Sequence, residues 1–300
     1  MEQDYRIGDS NHITRKYMDS LLIETRYINS DLPDTRLNLF GETFATPIMT
    51  AAFSHLYRIH EKGMVMMAEG AKAADAVMWS GWGEDAELEE MAATGARIIK
   101  IEKPFADNNE IYRRMAHAEA CGCLAYGIDT DHSFTNSGEY DLIRDHRMAG
   151  KTVAEIKDFV KASKLPFIIK GVLGVTEALQ CLEAGVSGIV VSHHAGKMDF
   201  VVPPLMVLPQ IVEAVGGKMK IFVDCSIYSG YDAFKAMALG ADAVSFGRTI
   251  LKPLADKGAE GVAETLKEAT ALLAGVMART CSPDIKSIDK SVIHYGPMIG

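Results

Sequence analysis

The sequence predicts one α/β domain, a (β/α)8 barrel of the TIM type with an N-terminal capping segment. Three observations carry this expectation. Eight short apolar or β-branched runs recur along the chain, each followed by apolar residues at helical spacing. The clearest helical stretches, VTEALQCLEAG (175–185) and YDAFKAMALG (231–240), stop at glycine, the residue best suited to a left-handed C-cap. The runs also turn polar at their C-terminal ends, the rim where such a barrel collects its chemistry.

The runs are 46–52 (TPIMTAA), 76–81 (AVMWSG), 97–103 (RIIKIEK), 123–129 (CLAYGID), 166–172 (PFIIKGV), 188–194 (GIVVSHH), 220–226 (KIFVDCS) and 243–248 (AVSFGR). Strands alternating with helices imply parallel pairing through βαβ crossovers. A doubly wound open sheet would usually carry a glycine-rich phosphate loop in its first βα turn. Here that turn reads AAFSHLYRIH, without glycine, which favours the barrel. Residues 1–45 read as a segment covering the closed end, 46–251 as the barrel, and 252–300 as a long helix and a tail that wraps the outside. The longest polar connection, 130–151, follows the fourth strand and reads as a lid or a surface insertion.

Bulk composition narrows the function. At 300 residues and 48% hydrophobic, the chain can bury a core without disulfides or metal. A net charge of −9 argues against nucleic acid or an anionic membrane as partner. The N-terminal residues lack the apolar centre of a signal peptide, and no stretch approaches the ~20 apolar residues of a membrane span. Five scattered cysteines suggest reduced thiols and a cytoplasmic location. Cys121-Gly-Cys123 lacks the spacer and second ligand pair of a metal site, so no metal is expected.

The polar strand ends are Ser80, Lys100 with Glu102, Asp129 with Thr130, Lys170, His194, Asp224 and Arg248. Solvent exit alone would explain one or two of these. Lys170 ends a strongly apolar strand, where an ammonium needs an anionic partner such as Asp224. His193 and His194 follow VVS, and an imidazole titrates near operating pH.

In its motifs the chain resembles the FMN-dependent 2-hydroxy acid oxidases and dehydrogenases. The resemblance rests on LFGETFATPIM, IIKGV, VVSHHAGK and, most specifically, DCSIYSGYDAFKAMALGADAVSFGR. It implies FMN as cofactor and a small hydroxyl-bearing substrate. It implies His194 as the proton acceptor, Asp129 as the carboxylate that orients it, and Lys170 beside the flavin locus that gains charge on reduction. Ala51, Ala52, Ser80, Lys100, Ser192, Asp224, Ser226, Tyr228, Gly247 and Arg248 fall at cofactor-binding positions. Glu102, His193 and Lys197 fall at substrate positions, with Lys197 also among the catalytic ones. By analogy the family implies a homo-oligomer, often a tetramer.

The departures are informative. His194-Ala195-Gly196-Lys197 replaces the family's His-Gly-Gly-Arg, and lysine offers a point charge where arginine grips a carboxylate with a fork. The carboxylate-binding arginine expected after the fourth strand has no counterpart in DTDHSFTNSGEYD. Tyr228 and Ser229 stand where an arginine is usual, Gly127 where a threonine is common, and Lys100 and Glu102 where Gln and Tyr are. Two other reactions compete: a flavin-dependent isomerase of the type 2 isopentenyl diphosphate isomerase kind, with Lys100, Lys197 and the histidines binding a diphosphate, and a Schiff-base lyase using Lys170. A ligand-binding relative without catalysis is the third alternative.

Overall fold

The computed structural model describes residues 6–297; residues 1–5 of the capping segment and 298–300 of the tail lie outside it. Eight parallel strands form one sheet: β1 (Ile48–Thr50), β2 (Met78–Ser80), β3 (Ile98–Glu102), β4 (Ala125–Asp129), β5 (Phe167–Val172), β6 (Gly188–Val191), β7 (Lys220–Val223) and β8 (Ala243–Phe246). Their order is β1-β8-β7-β6-β5-β4-β3-β2. The seam between β1 and β2 is closed by Trp79 N donating to Thr50 Oγ1 (3.1 Å) and Gly81 N to the Phe53 carbonyl (2.7 Å). The expected barrel is therefore present, with every expected strand in its place.

Helices α1 (Ser10–Ser20), α2 (Gly63–Ala73), α3 (Asp85–Ala93), α4 (Asn108–Ala120), α5 (Val153–Ala162), α6 (Val175–Glu183), α7 (Pro204–Val215), α8 (Gly230–Ala238) and α9 (Leu251–Ala278) accompany the strands. Their starts follow local chemistry. Thr152 and Glu155 form a capping box on α5, and Ser229 caps α8 by accepting from Asp232 N. The segment expected as one long terminal helix is kinked at Gly258, whose φ of 61° glycine alone accepts easily. Among the described residues no helix is long and apolar enough to cross a membrane.

The strand interiors fill the barrel. Trp79 meets Phe222 edge-on at 5.0 Å and its indole N–H points at Met49 Sδ. Below them a hairpin, Leu37–Leu39 with Glu42–Phe44, turns at Phe40, which packs edge-on against Phe222 at 6.5 Å. This hairpin covers the closed end of the barrel. Helix α1 does not: it lies at the opposite rim, against the loops after β6, β7 and β8. The tail returns to the N-terminal region, where Ile293–Tyr295 pairs antiparallel with Leu21–Ile23.

Candidate active site

A cleft of about 230 Å³, open to solvent, sits at the C-terminal ends of β1 and β5–β8. Ala51, Ala52, Lys170, His194, Asp224, Ser226, Tyr228, Gly247 and Arg248 all line it. Small residues floor the wall between β1 and β8: a Cβ on Gly247 would meet Ala51 Cβ at 3.8 Å. Cys225 and Ser226 turn through left-handed backbone, φ 68° and 58°, to end β7. That conformation is costly for non-glycine residues and is stabilised from outside. Arg15 of α1 donates to the Ser226 carbonyl (2.9 Å) and holds Asp232 through two nitrogens.

The cleft fits FMN. Ser226 Oγ is buried there with no hydrogen-bond partner among the described residues, an orphan that a phosphate oxygen would satisfy. Arg248 spends one donor on Asn11 Oδ1 (2.8 Å) and keeps the rest of its fork for the same anion.

At the other side of the cleft lies a buried ionic cluster. Lys170 Nζ reaches Asp129 Oδ1 (3.4 Å), Asp224 Oδ2 (3.7 Å) and Ser192 Oγ (3.3 Å). Burial would lower its pKa, but Asp129, Asp224 and Asp131 outweigh burial and keep the ammonium charged. Lys103 Nζ donates to the second oxygen of Asp129 (3.0 Å). Burial disfavours the Asp129 anion, yet Lys170, Lys103 and His194 hold its pKa well below the usual carboxylate range.

His194 stands at the end of β6 in a left-handed turn, φ 51°, followed by Ala195 at 55° and Gly196 at 80°. Its Nδ1 lies 2.8 Å from Asp131 Oδ1 and 3.2 Å from Asp129 Oδ2. Lys170 Nζ also lies 3.3 Å from Nδ1, but the two carboxylate oxygens, both closer, require a donor there, so Nδ1 carries a proton and Nε2 is the basic atom. Burial and Lys170 push the ring's pKa down, but Asp129 and Asp131 prevail and raise it. Nε2 faces His132 Nε2 at 3.4 Å, with the rings nearly perpendicular. Lys197 Nζ donates to His132 Nδ1 (2.6 Å) and lies 3.4 Å from Asp141 Oδ2.

Asp129, Asp131, His132 and His194 bring ligand-type atoms within 4.8 Å of one another. Lys170, Lys103 and Lys197 already supply positive charge to that group.

Three groups of residues stand elsewhere than expected. Lys100 and Glu102 do pair, at 3.3 Å, but on the outer face of β3. Lys100 donates to the Gly81 carbonyl, and Glu102 meets Arg114 of α4 at 3.5 Å. Ser80, the register partner of Lys100, shares that face and does not line the cleft. Successive residues alternate in direction, so Lys103, just past the end of β3, is the one that turns toward Asp129. His193 is buried away from the cleft: its Nδ1 accepts from Gly196 N (2.9 Å) and its Nε2 meets Thr14 Oγ1 of α1 (2.7 Å). Ser192 is fully buried beneath Lys170 rather than exposed in the cleft.

Lys103, Asp131, His132 and Asp141 are site residues that sequence reasoning passed over. The charge run KIEK and the polar segment DTDHSFTNSGEYD after β4 were their only signals. The connection after β4 is thus part of the site: a 3-10 turn (Thr130–His132) and a short hairpin (Leu142–Ile143 with His146–Arg147) present these groups.

The chain matches the family of FMN-dependent dehydrogenases over residues 8–153 and 135–295. It is 30% identical over 273 residues to the 4-hydroxymandelate oxidase of Amycolatopsis orientalis, covering 79% of this chain and 76% of that one. It is 28% identical to the L-lactate oxidase of Lysinibacillus sphaericus (strain C3-41), over 83% and 75% of the two chains. A solved mandelate oxidase with (S)-2-phenylpropionate superposes at a TM-score of 0.85, with 27% identity, over 96% of this chain and 89% of that one. These matches favour oxidation over the isomerase and lyase readings. The chain belongs to the FMN-dependent dehydrogenase family and is an enzyme that uses FMN to oxidise hydroxy acids.

Proposed function

We propose that His194 is the base of this oxidation and that the substrate is a 2-hydroxy acid larger or less acidic than lactate and glycolate. FMN, when bound, supplies the acceptor for the substrate's two electrons. His194 Nε2 takes the hydroxyl proton, while Asp131 and Asp129 orient the ring through Nδ1 and stabilise the imidazolium. Lys170, charged and buried, sets a positive potential at the cleft wall where negative charge would gather. Arg248 and Ser226 hold the phosphate.

One observation carries the reading: the His194–Asp131–Asp129–Lys170 constellation, closed within 3.4 Å, opens onto a cleft that fits FMN. The substrate preference rests on the described mouth offering no arginine beside His194. Of the nearby lysines, Lys170 is engaged by Asp129 and Asp224, and Lys197 by His132 and Asp141. An absorption spectrum of the pure protein, then anaerobic titration with lactate, glycolate and mandelate, tests both parts. A flavin spectrum that mandelate bleaches faster than lactate is the expected result. Rapid bleaching by lactate or glycolate overturns the substrate preference alone.

The enzyme is further proposed to be a cytoplasmic homo-oligomer, a tetramer by analogy. Five cysteines that are all free thiols support a reducing compartment. Size-exclusion chromatography with light scattering reads the assembly.

A further inference from the structure

The connection after β4 places a second imidazole against the proposed base, and its hydrogen bonds dictate what that imidazole can do. Lys197 Nζ lies 2.6 Å from His132 Nδ1. An ammonium has no lone pair, so it can only donate. Nδ1 of His132 must therefore be unprotonated, and the neutral ring carries its proton on Nε2. Asp141, 3.4 Å from Lys197 Nζ and 3.5 Å from His132 Nδ1, holds the ammonium in place. Burial, then the Lys103 ammonium, lowers the ring's basicity and keeps it neutral, against the opposing pull of Asp129. The groups facing this ring are thus His194, Lys197, Asp141, Asp129 and Lys103.

The Nε2–H of His132 points at His194 Nε2, 3.4 Å away. The other nitrogen of His194 is committed to Asp131 and Asp129. A hydroxyl that gives its proton to His194 must approach Nε2, and so comes within reach of the His132 donor. We propose that His132 donates a hydrogen bond through Nε2–H to the substrate oxygen whose proton His194 takes, and that Lys197 is the positioning residue that keeps His132 in its donating tautomer. The proposal rests on the reading of His194 as the base.

The step balances without any further reactant. The substrate O–H bond breaks and an N–H bond forms at His194 Nε2. His132 keeps its own proton, and only its acceptor changes, from His194 Nε2 to the developing oxyanion. A neutral donor held in place by Lys197 stabilises that charge without a competing proton transfer. Lys197 thereby acquires a role unlike that of the family's arginine. It acts on the tautomer of a neighbouring ring and leaves the substrate carboxylate to other groups.

The test has one arm that needs no substrate. In the FMN-bound holoenzyme labelled with ¹⁵N-histidine, long-range ¹H–¹⁵N correlations should show His132, assigned by its loss in His132→Leu, as the neutral Nε2–H tautomer near neutral pH. Lys197→Met should turn that signal into a tautomer mixture. A protonated or Nδ1–H ring in the wild type overturns the proposal. The second arm is anaerobic flavin reduction by whichever of lactate, glycolate or mandelate bleaches fastest. His132→Leu should slow it on the order of 10²-fold with FMN still bound. His132→Gln, which restores a donor near the same place, should recover most of that loss. If His132→Leu reduces flavin at the wild-type rate while His194→Ala does not, His132 has no such role and the base assignment stands. Unimpaired reduction by His194→Ala overturns the base assignment itself.

Discussion

The two walls of the barrel mouth solve different problems. Toward β7, β8 and β1 the wall is small side chains, left-handed backbone and one guanidinium, braced from behind by α1. Toward β4, β5 and β6 it is a dense set of buried charges: Lys170, Lys103 and Asp129, continued outward by Asp131, His132, Asp141 and Lys197. The first shapes room for a ligand and leaves an orphaned hydroxyl for it. The second pairs each charge with a neighbour and, among the described residues, leaves over one buried acceptor, Asp131 Oδ2. On the proposed reading, cofactor binding and substrate chemistry fall on separate walls, and substitutions on one should leave the other's readout intact.

The largest expected separation is His194→Ala. Loss of the base should slow anaerobic flavin reduction by roughly 10²–10⁴-fold while the bound-flavin spectrum persists. Loss of the flavin instead would merge the two walls into one function. Arg248→Ala should do the reverse. Removing a charge-assisted contact worth about 1.5–3 kcal/mol weakens FMN binding roughly 10- to 100-fold. With FMN saturating, the reduction rate should hold, as read by fluorescence titration and stopped flow.

Glu102→Gln marks the boundary of both walls, because Glu102 faces α4 and not the cleft. It leaves Lys100 without its carboxylate, so stability should fall by about 1–3 kcal/mol in denaturant titrations. Flavin reduction by the folded fraction should be unchanged; a slowed rate would bring Glu102 back into the chemistry. The smallest effect is a shift in pH dependence. Only neutral His194 can accept a proton, and its carboxylate partners raise its pKa. Reduction should therefore lose activity on acidification from a point above the ordinary imidazole value of about 6.5. Asp131→Asn should move that limb down; an unmoved limb would detach Asp131 from the base.

Legibility in the sequence followed the same division. The wall toward β7 and β8 could be read because its residues sit in one long run in register with the family, and Asp224, Ser226, Tyr228, Gly247 and Arg248 all line the cleft. Lys170, Asp129 and His194 were readable as lone polar groups ending apolar strands. The end of β3 misled. Strands of a parallel barrel are buried on both faces, so Ile98, Ile99 and Ile101 give no alternation to orient the charged residues among them. A one-residue error there sends Lys100 and Glu102 inward and Lys103 outward, the reverse of what the structure holds.

By itself the sequence determined the eight-fold succession of strands and helices, because apolar periodicity and glycine caps are local properties that neighbouring residues enforce. It also determined which strand ends are polar. Only the tertiary structure decided that Asp131, His132 and Asp141 turn back from the β4 connection onto His194 and Lys197, residues more than fifty positions away. It alone placed α1 behind the wall toward β7 and β8. Those contacts form between loops whose conformations are set by the fully packed barrel, and no spacing along the chain encodes them.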